Sequence, residues 1–389
     1  MSLKKKIRIM HVVFSLEPGG MENGVVNVAN RLPEDEFEVY FCCLEKGGAF
    51  VERLKHPENV IVLDRTKPGF SYRTTLRVMW NVFKLWPDIV HTHNMGPLTY
   101  GVYATLFGRL RPVLQGEHGV FQGDLEQPHR IAQRKRQYGR CHTIHTVCDG
   151  LRDYLIEFGF DASKIVSIMN GVDTDRFQPA DRTAVRKELG LPAEGPWLGI
   201  VGRFDVNKKH LLLIEAFNAI AEEFPTAQLL VLGDKGNEKE NIHAAAKASP
   251  VSDRIHLLGF QPNPLPYYQS LDLLTAPSPF EGLSNAVLES MSCGVPVLAH
   301  TACGNAEVID HGVNGYIAEM DTPRQLIEQL REVLGQPEQL AAYGQECRRR
   351  AIAKHSIPKM VDNYAELYRQ VAGVQNGTGS DLNHSPKPD

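Results

Sequence analysis

Residues 271–300, LDLLTAPSPFEGLSNAVLESMSCGVPVLAH, constrain the fold more than any other stretch of the chain. Leu271–Ala276 is an apolar run of a length that suits a buried strand. The next six residues, Pro277-Ser278-Pro279-Phe280-Glu281-Gly282, hold two prolines and a glycine that forbid regular structure. Leu283–Cys293 has a helical pattern and stops at Gly294, a good residue for the position after a helix end. Val295–Ala299 then reads as a second buried strand, with Pro296 a reservation against a central ladder position. Strand, helix and strand in about 30 residues make a βαβ unit, so the two strands are expected to be parallel. The helix N-terminus then lies at the carboxyl end of the first strand, where open α/β sheets bind ligands. Its N–H groups, with Leu283, Ser284 and Asn285 as candidates, form an anion site.

Two carboxylates frame that anion site. Glu281 precedes the helix, and Glu289 lies about 9 Å along its axis at the helical rise. An acid beside a phosphate repels it, so these acids should face other parts of the ligand. A carboxylate accepts from two hydroxyls, which suits a vicinal diol. A phosphate with a sugar on either side is a nucleotide sugar: Glu289 for the ribose, Glu281 for the sugar transferred. Spacing alone leaves open a solvated helix residue and a polar loop residue.

Within SPFEGLSNAVLESMSCGVPVLA, Glu281 and Glu289 resemble the E-x7-E signature of family 4 glycosyltransferases, and Gly304…Glu307…Gly312…Asn314-Gly315 extends the resemblance. The resemblance implies an α/β protein of GT-B architecture, two Rossmann-like doubly wound domains facing across a cleft. It also implies retaining sugar transfer from a nucleoside-diphosphate donor, of hexosyltransferase type.

Composition agrees with a two-domain globular protein. The chain has 389 residues, 42% hydrophobic and 23% charged. No apolar run approaches the length of a transmembrane helix. Lys4-Lys5-Lys6 before Ile7–Leu16 loosely imitates a signal peptide, but the run contains Arg8 and His11, so a first strand is the better reading. Seven cysteines without regular spacing suggest reduced thiols and a cytoplasmic protein. Net charge is −4, against a nucleic-acid partner. Residues 1–180 are mildly basic, which would suit an anionic acceptor or peripheral contact with the inner membrane face.

Along the chain, short β-branched runs alternate with helical segments in both halves, the pattern of mainly parallel sheets. A first domain is expected over 1–175 and a second, nucleotide-sugar-binding one over 190–355, with the Asp-, Pro- and Gly-rich 170–195 as linker. Met360, Tyr364, Leu367, Tyr368 and Val371 mark an amphipathic helix, 357–372, which in GT-B proteins often joins the first domain. Residues 373–389 are too polar to bury apolar surface and should be disordered.

Four further segments carry candidate chemistry. Pro18-Gly19-Gly20 follows the first strand and opens a helix; it is either a tight turn or a loop that meets a ligand, and it resembles the family's Gly-Gly loop facing the donor phosphates. His118 ends a strand and resembles the family histidine at the reacting centre. His91-Thr92-His93-Asn94 closes another strand; His93 and Asn94 are assigned to the acceptor side, because a metal pair at i, i+2 has no identifiable third ligand. Val201-Gly202-Arg203 with Lys208 resembles the family's G-R-x(4)-K-G, with Lys209 in place of the last glycine. Arginine and lysine there would hold the charge that develops on a departing diphosphate.

Asp173-Thr174-Asp175 imitates a D-x-D metal motif but lies in a segment resembling the family's interdomain N-G-V-D, and reads as turn. The basic run Arg130, Arg134, Lys135, Arg136 and Arg140 reads as a solvated helix face. The expected reaction therefore uses His118 and Glu281 at the reacting centre. Gly19, Gly20, Arg203, Lys208, Gly282, Leu283, Ser284, Asn285 and Glu289 bind the donor. No metal and no cofactor beyond the nucleotide sugar are expected, and the acceptor is a saccharide or a lipid-linked glycan of surface polysaccharide assembly. Rival readings are a nucleotide-sugar epimerase and a non-catalytic nucleotide-sugar binder.

Overall fold

Short apolar strands build two all-parallel sheets in the computed structural model, which describes residues 5–108, 111–119, 127–301 and 304–373. The chain divides into a first unit, Met1–Asn170 with Ile357–Asp389, and a second, Gly171–Ser356. The first sheet comprises β1 (Ile7–Val13), β2 (Phe37–Cys43), β3 (Val60–Val62), β4 (Ile89–His93), β5 (Val113–Glu117), β6 (Thr143–Thr146) and β7 (Ile165–Ser167). Their spatial order is β3-β2-β1-β4-β5-β6-β7. The second comprises β8 (Trp197–Val201), β9 (Gln228–Leu232), β10 (Ile255–Gly259), β11 (Leu273–Ala276), β12 (Val297–His300) and β13 (Gly315–Ala318), ordered β10-β9-β8-β11-β12-β13. In each sheet the order reverses once, between β1 and β4 and between β8 and β11. At such a switch point the connections leave in opposite directions and open a crevice at the strands' carboxyl ends.

The βαβ unit forms as its sequence predicts, with β11 and β12 parallel and in contact. The reservation about Pro296 is met by a shift of the strand start. Pro296 stands just before β12, where its carbonyl accepts the Leu274 N–H at 3.0 Å and no N–H is asked of it.

The second unit begins at Gly171, not at 190, and the first stretch of the chain stops at Asn170, not at 175. The expected linker contains a helix, Arg182–Glu188, whose first N–H groups are capped by Asp181. Buried Arg186 ties that helix to the start of β11 through the Ser270 carbonyl at 2.9 Å and the Asp272 carboxylate at 2.7 Å. The turn-forming composition of 170–195 thus serves the inside of a folded unit. Asp173 fits this role, accepting the Arg176 backbone N–H at 3.0 Å.

The helix Ile357–Val371 belongs to the first unit and buries Met360, Tyr364, Leu367, Tyr368 and Val371 in one cluster with Ile7, Ile9, Val28 and Phe37. Each such side chain contributes roughly 1.5–3 kcal/mol on burial. Arg369 adds a two-pronged bond to Glu36, both arms 2.7 Å. Of the tail 373–389, all but Gly373 lies outside the described residues. Among the described residues no helix is long and apolar enough to cross a membrane.

Candidate active site

In the second unit the sequence's candidate residues gather where β8 and β11 end. After β8 the chain runs through Gly202 and Arg203 into a short turn, Val206–Lys208. Gly233, at the end of β9, has φ +154°, and a Cβ there would stand 1.8 Å from the Gly202 carbonyl oxygen. Only glycine permits that approach, which fixes the floor beneath the turn. Of the two adjacent lysines, Lys208 forms an ion pair with Glu281, 73 residues away in the loop after β11. Lys209 adopts the left-handed conformation, φ 60°, that starts the helix His210–Ile220. Burial pushes the Lys208 amine down to about 8; Asp205 opposes the shift and Arg203 adds to it. Arg203 itself is exposed and pairs with Asp205 at 3.0 Å.

The helix after the β11 loop is Asn285–Ser292, with Ser284 as its N-cap. It therefore starts two residues later than expected, because the apolar Leu283 turns inward and is buried. Gly282 is held from the other side: its carbonyl accepts the Gly304 N–H at 2.7 Å, and a Cβ on Gly304 would lie 2.1 Å from that oxygen. Beside it, Asn305 is fully buried, and neither polar atom of its side chain has a hydrogen-bond partner among the described residues. His210, next to Lys208 in space, is buried with both ring nitrogens in the same condition. Buried polar atoms are almost always satisfied, so these two side chains have bonding capacity that a ligand or a water would meet. Glu289 sits half-buried on the helix. Burial pushes its carboxyl up to about 7, opposed by the Tyr268 phenol and the Arg176 guanidinium.

Gly19, Gly20, His93, Asn94 and His118 lie in the first unit, at the ends of β1, β4 and β5. Gly19 is the extended N-cap and Gly20 the first residue of the helix Gly20–Arg31. Asn94 takes the left-handed conformation, φ 69°, between β4 and the helix Met95–Gly108.

His93 does not stand at a simple polar wall: it belongs to a group of five histidines. Strand register brings His11 opposite His91, and Gly116 between His93 and His145. Ring nitrogens meet at 3.0 Å from His118 to His93, 3.0 Å from His93 to His11, and 2.9 Å from His91 to His145. Tyr368 reaches His91 at 2.9 Å. A side chain at Gly116 would collide with the group, since its Cβ would lie 2.7 Å from His145 and 2.9 Å from His93. Two trios, His11–His91–His93 and His93–His118–His145, are close enough to hold a metal ion, so the third ligand that spacing could not supply comes from neighbouring strands. Burial holds His118 down to about 4 and His91, His93 and His145 well below their ordinary value. At neutral pH these rings are uncharged donors and acceptors.

The residue before His118 corrects another expectation. Glu117 is buried and accepts from Arg134 at 3.2 Å and Gln115 at 2.9 Å, with the Tyr138 hydroxyl also bonded to it. Arg134 is therefore no part of a solvated face; a buried acid needs that cation, and the pair anchors β5 to the helix Pro128–Tyr138.

Known proteins share the sequence pattern and the fold. The family model described as "Glycosyltransferase Family 4" matches residues 18–176, and "Glycosyl transferases group 1" matches 181–350. UDP-Gal:alpha-D-GlcNAc-diphosphoundecaprenol alpha-1,3-galactosyltransferase of Escherichia coli is 25% identical over 94% of this chain and 98% of its own. D-inositol 3-phosphate glycosyltransferase of Thermobispora bispora is 31% identical, over 56% of this chain and 53% of that protein. In fold, the chain is similar to Anabaena HepE in complex with UDP and glucose, at TM-score 0.82 and 20% identity, covering 94% of this chain and all of that one. Sucrose-phosphate synthase from Thermosynechococcus elongatus superimposes at TM-score 0.81 and 19% identity, over 95% of this chain and all of that one.

Proposed function

The chain belongs to the glycosyltransferases of family 4 and group 1, and from that premise we propose that it is a retaining, metal-independent enzyme acting on a lipid-linked glycan. It would move a sugar from a nucleoside-diphosphate donor to a hydroxyl of an acceptor carried on a polyprenyl-type diphosphate. One observation carries this reading: Lys208 and Glu281, on loops from the two strands flanking the switch point, meet as a pair. A cation for the diphosphate beside an acid for sugar hydroxyls is what breaking a glycosyl–phosphate bond requires. The acceptor class is supported by the full-length likeness to the Escherichia coli galactosyltransferase.

In this mechanism Arg203, Lys208 and the N-terminus of the helix Asn285–Ser292 hold the diphosphate, Glu289 the ribose diol, and Glu281 the hydroxyls of the moving sugar. The acceptor hydroxyl attacks from the face the diphosphate leaves, and a departing phosphate oxygen takes its proton. The resemblance assigns His118 to the reacting carbon, and burial would keep its ring neutral there.

A donor panel tests the reading: the correct nucleotide sugar at 100 times its dissociation constant should add about 2.7 kcal/mol of stability. Transfer to a synthetic lipid diphosphate sugar should follow with that donor. Stabilisation without transfer to any acceptor would favour a nucleotide-sugar binder, and a changed sugar without acceptor an epimerase.

His118→Ala should lower kcat by about 10²-fold while leaving donor affinity within about threefold, because the proposed contact is at the reacting carbon. Lost donor affinity with normal turnover at saturation would make His118 an ordinary binding residue. The charges for the leaving group lie in the protein, so activity should survive EDTA. Abolition by EDTA with rescue by Mg²⁺ or Mn²⁺ would overturn that, and rescue by Zn²⁺ alone would turn attention to the two histidine trios.

A further inference from the structure

The helix Tyr72–Leu85 of the first unit is apolar on two faces. One face buries Thr74, Val78, Asn81 and Val82 against the sheet. The opposite face leaves Tyr72 80%, Leu76 59%, Trp80 63% and Phe83 52% exposed. At a helical turn of 100° per residue these four positions fall within one narrow stripe. Phe70, 49% exposed just before the helix, continues the stripe, packing edge-on against Tyr72 at 5.1 Å between ring centres. A run of exposed aromatic and aliphatic side chains this long is not scattered surface apolarity; it marks a binding face.

What lies around the stripe identifies the partner. The helix carries Arg73, Arg77 and Lys84 and no acidic residue. From the helix Pro128–Tyr138, which carries no acid, Arg136 reaches the same side. A cavity of about 1040 Å³ is continuous with the stripe, lined by Leu76 and Met79 of the first helix, Tyr103 of Met95–Gly108, and Arg136 and Arg140. An apolar face with Trp and Tyr, on a helix whose charged residues are all cations and beside a cavity whose charged lining residues are Arg65, Arg136 and Arg140, matches the boundary between headgroups and acyl chains of an anionic membrane. We propose that the first unit docks on an anionic phospholipid bilayer through Tyr72, Leu76, Trp80 and Phe83, with the surrounding arginines and lysines on the headgroups. The purpose of the contact rests on the reading of a lipid-linked acceptor, but the contact itself does not.

Flotation of the full chain with vesicles tests it without any acceptor. The protein should float with vesicles of phosphatidylglycerol and phosphatidylethanolamine, and about tenfold less with pure phosphatidylcholine. The triple substitution Leu76→Ser, Trp80→Ser and Phe83→Ser should reduce binding to the anionic vesicles by about tenfold or more, with nucleotide affinity and melting temperature retained. Arg73→Glu with Lys84→Glu should remove the preference for anionic lipid. Equal flotation of the triple variant, or no flotation of the wild type, would overturn the proposal. A wild-type dimer in sedimentation velocity that the triple variant loses, with no vesicle binding, would assign the stripe to a second copy of the chain instead. Failure here leaves transfer to lipid-linked acceptors standing, and failed transfer leaves vesicle binding standing, so the two readings fall separately.

Discussion

Lys208→Ala should lower kcat/KM for sugar transfer by roughly 10²–10³-fold, the size of loss expected when one preorganised charge on a leaving group is removed. Lys208 meets Glu281 at the switch point, and partial burial removes some of the water from around the amine. A charge held in such a place acts on the developing phosphate charge with less screening than one on the open surface. The substitution also leaves the half-buried Glu281 carboxylate without its cation, which adds to the loss. Lys209 cannot replace it, being fixed in the left-handed conformation that begins the next helix. With its amine held at about 8, Lys208 is a cation below that pH and loses its proton above it. Wild-type kcat/KM should therefore fall above about pH 8, and Lys208→Arg should move that limb to higher pH because guanidinium keeps its proton. A Lys208→Ala enzyme within about threefold of wild type would remove this lysine from the donor site.

The sheets were legible because strand signals are local. Trp197–Val201 and Gln228–Leu232 are largely apolar runs between turn residues, and the strands have these bounds. The meeting of Lys208 with Glu281 was not legible in this way, since nothing in periodicity links a lysine to a glutamate 73 residues on. Contacts between side chains of different elements were likewise missed. His91 and His93 advertise themselves by spacing, whereas His11, His118 and His145 join them through sheet register, which one strand's sequence does not contain. Composition misled at Arg134: a basic run reads as solvated until the partner acid, Glu117, is found buried beneath it. The helix Tyr72–Leu85 failed in the opposite sense. Its bounds follow from the apolar pattern, but periodicity does not say which of two apolar faces the core will cover.

Asn305 and His210 are a third kind of omission. Asn305 lies inside the Gly304…Glu307 pattern, and His210 two residues beyond Lys208, so both were adjacent to residues already singled out. Their signal is a buried polar side chain without a partner among the described residues, a property of packing and not of sequence.

Glu289→Gln should trade stability against function in a pH-dependent way. An amide accepts less strongly than a carboxylate and presents a donor to one ribose hydroxyl. Losing a hydrogen bond to a charged group costs roughly 1.5–3 kcal/mol, so nucleoside-diphosphate affinity at pH 8 should drop tenfold or more. Burial raises the native carboxyl from 4.5 to about 7. Below the ordinary value both folded and unfolded chains hold the proton, and the burial penalty is absent. Between the two values the unfolded chain has released its proton while the native one keeps it, so stability falls as pH rises. Above about pH 7 the full penalty stands, on the order of 1–3 kcal/mol. Glutamine carries no such penalty, so the variant should melt higher than wild type at pH 8 and together with it near pH 4.5. Wild-type affinity for the nucleoside diphosphate should rise by about tenfold from pH 6 to pH 8 as the carboxylate ionises, a trend the variant should lack. Titration calorimetry and melting curves at these three pH values separate the two effects. Unchanged affinity with a higher melting point would leave Glu289 a buried acid with no part in holding the ribose. Lost affinity with identical melting at pH 8 would mean that the carboxylate is solvated enough to ionise near its ordinary value.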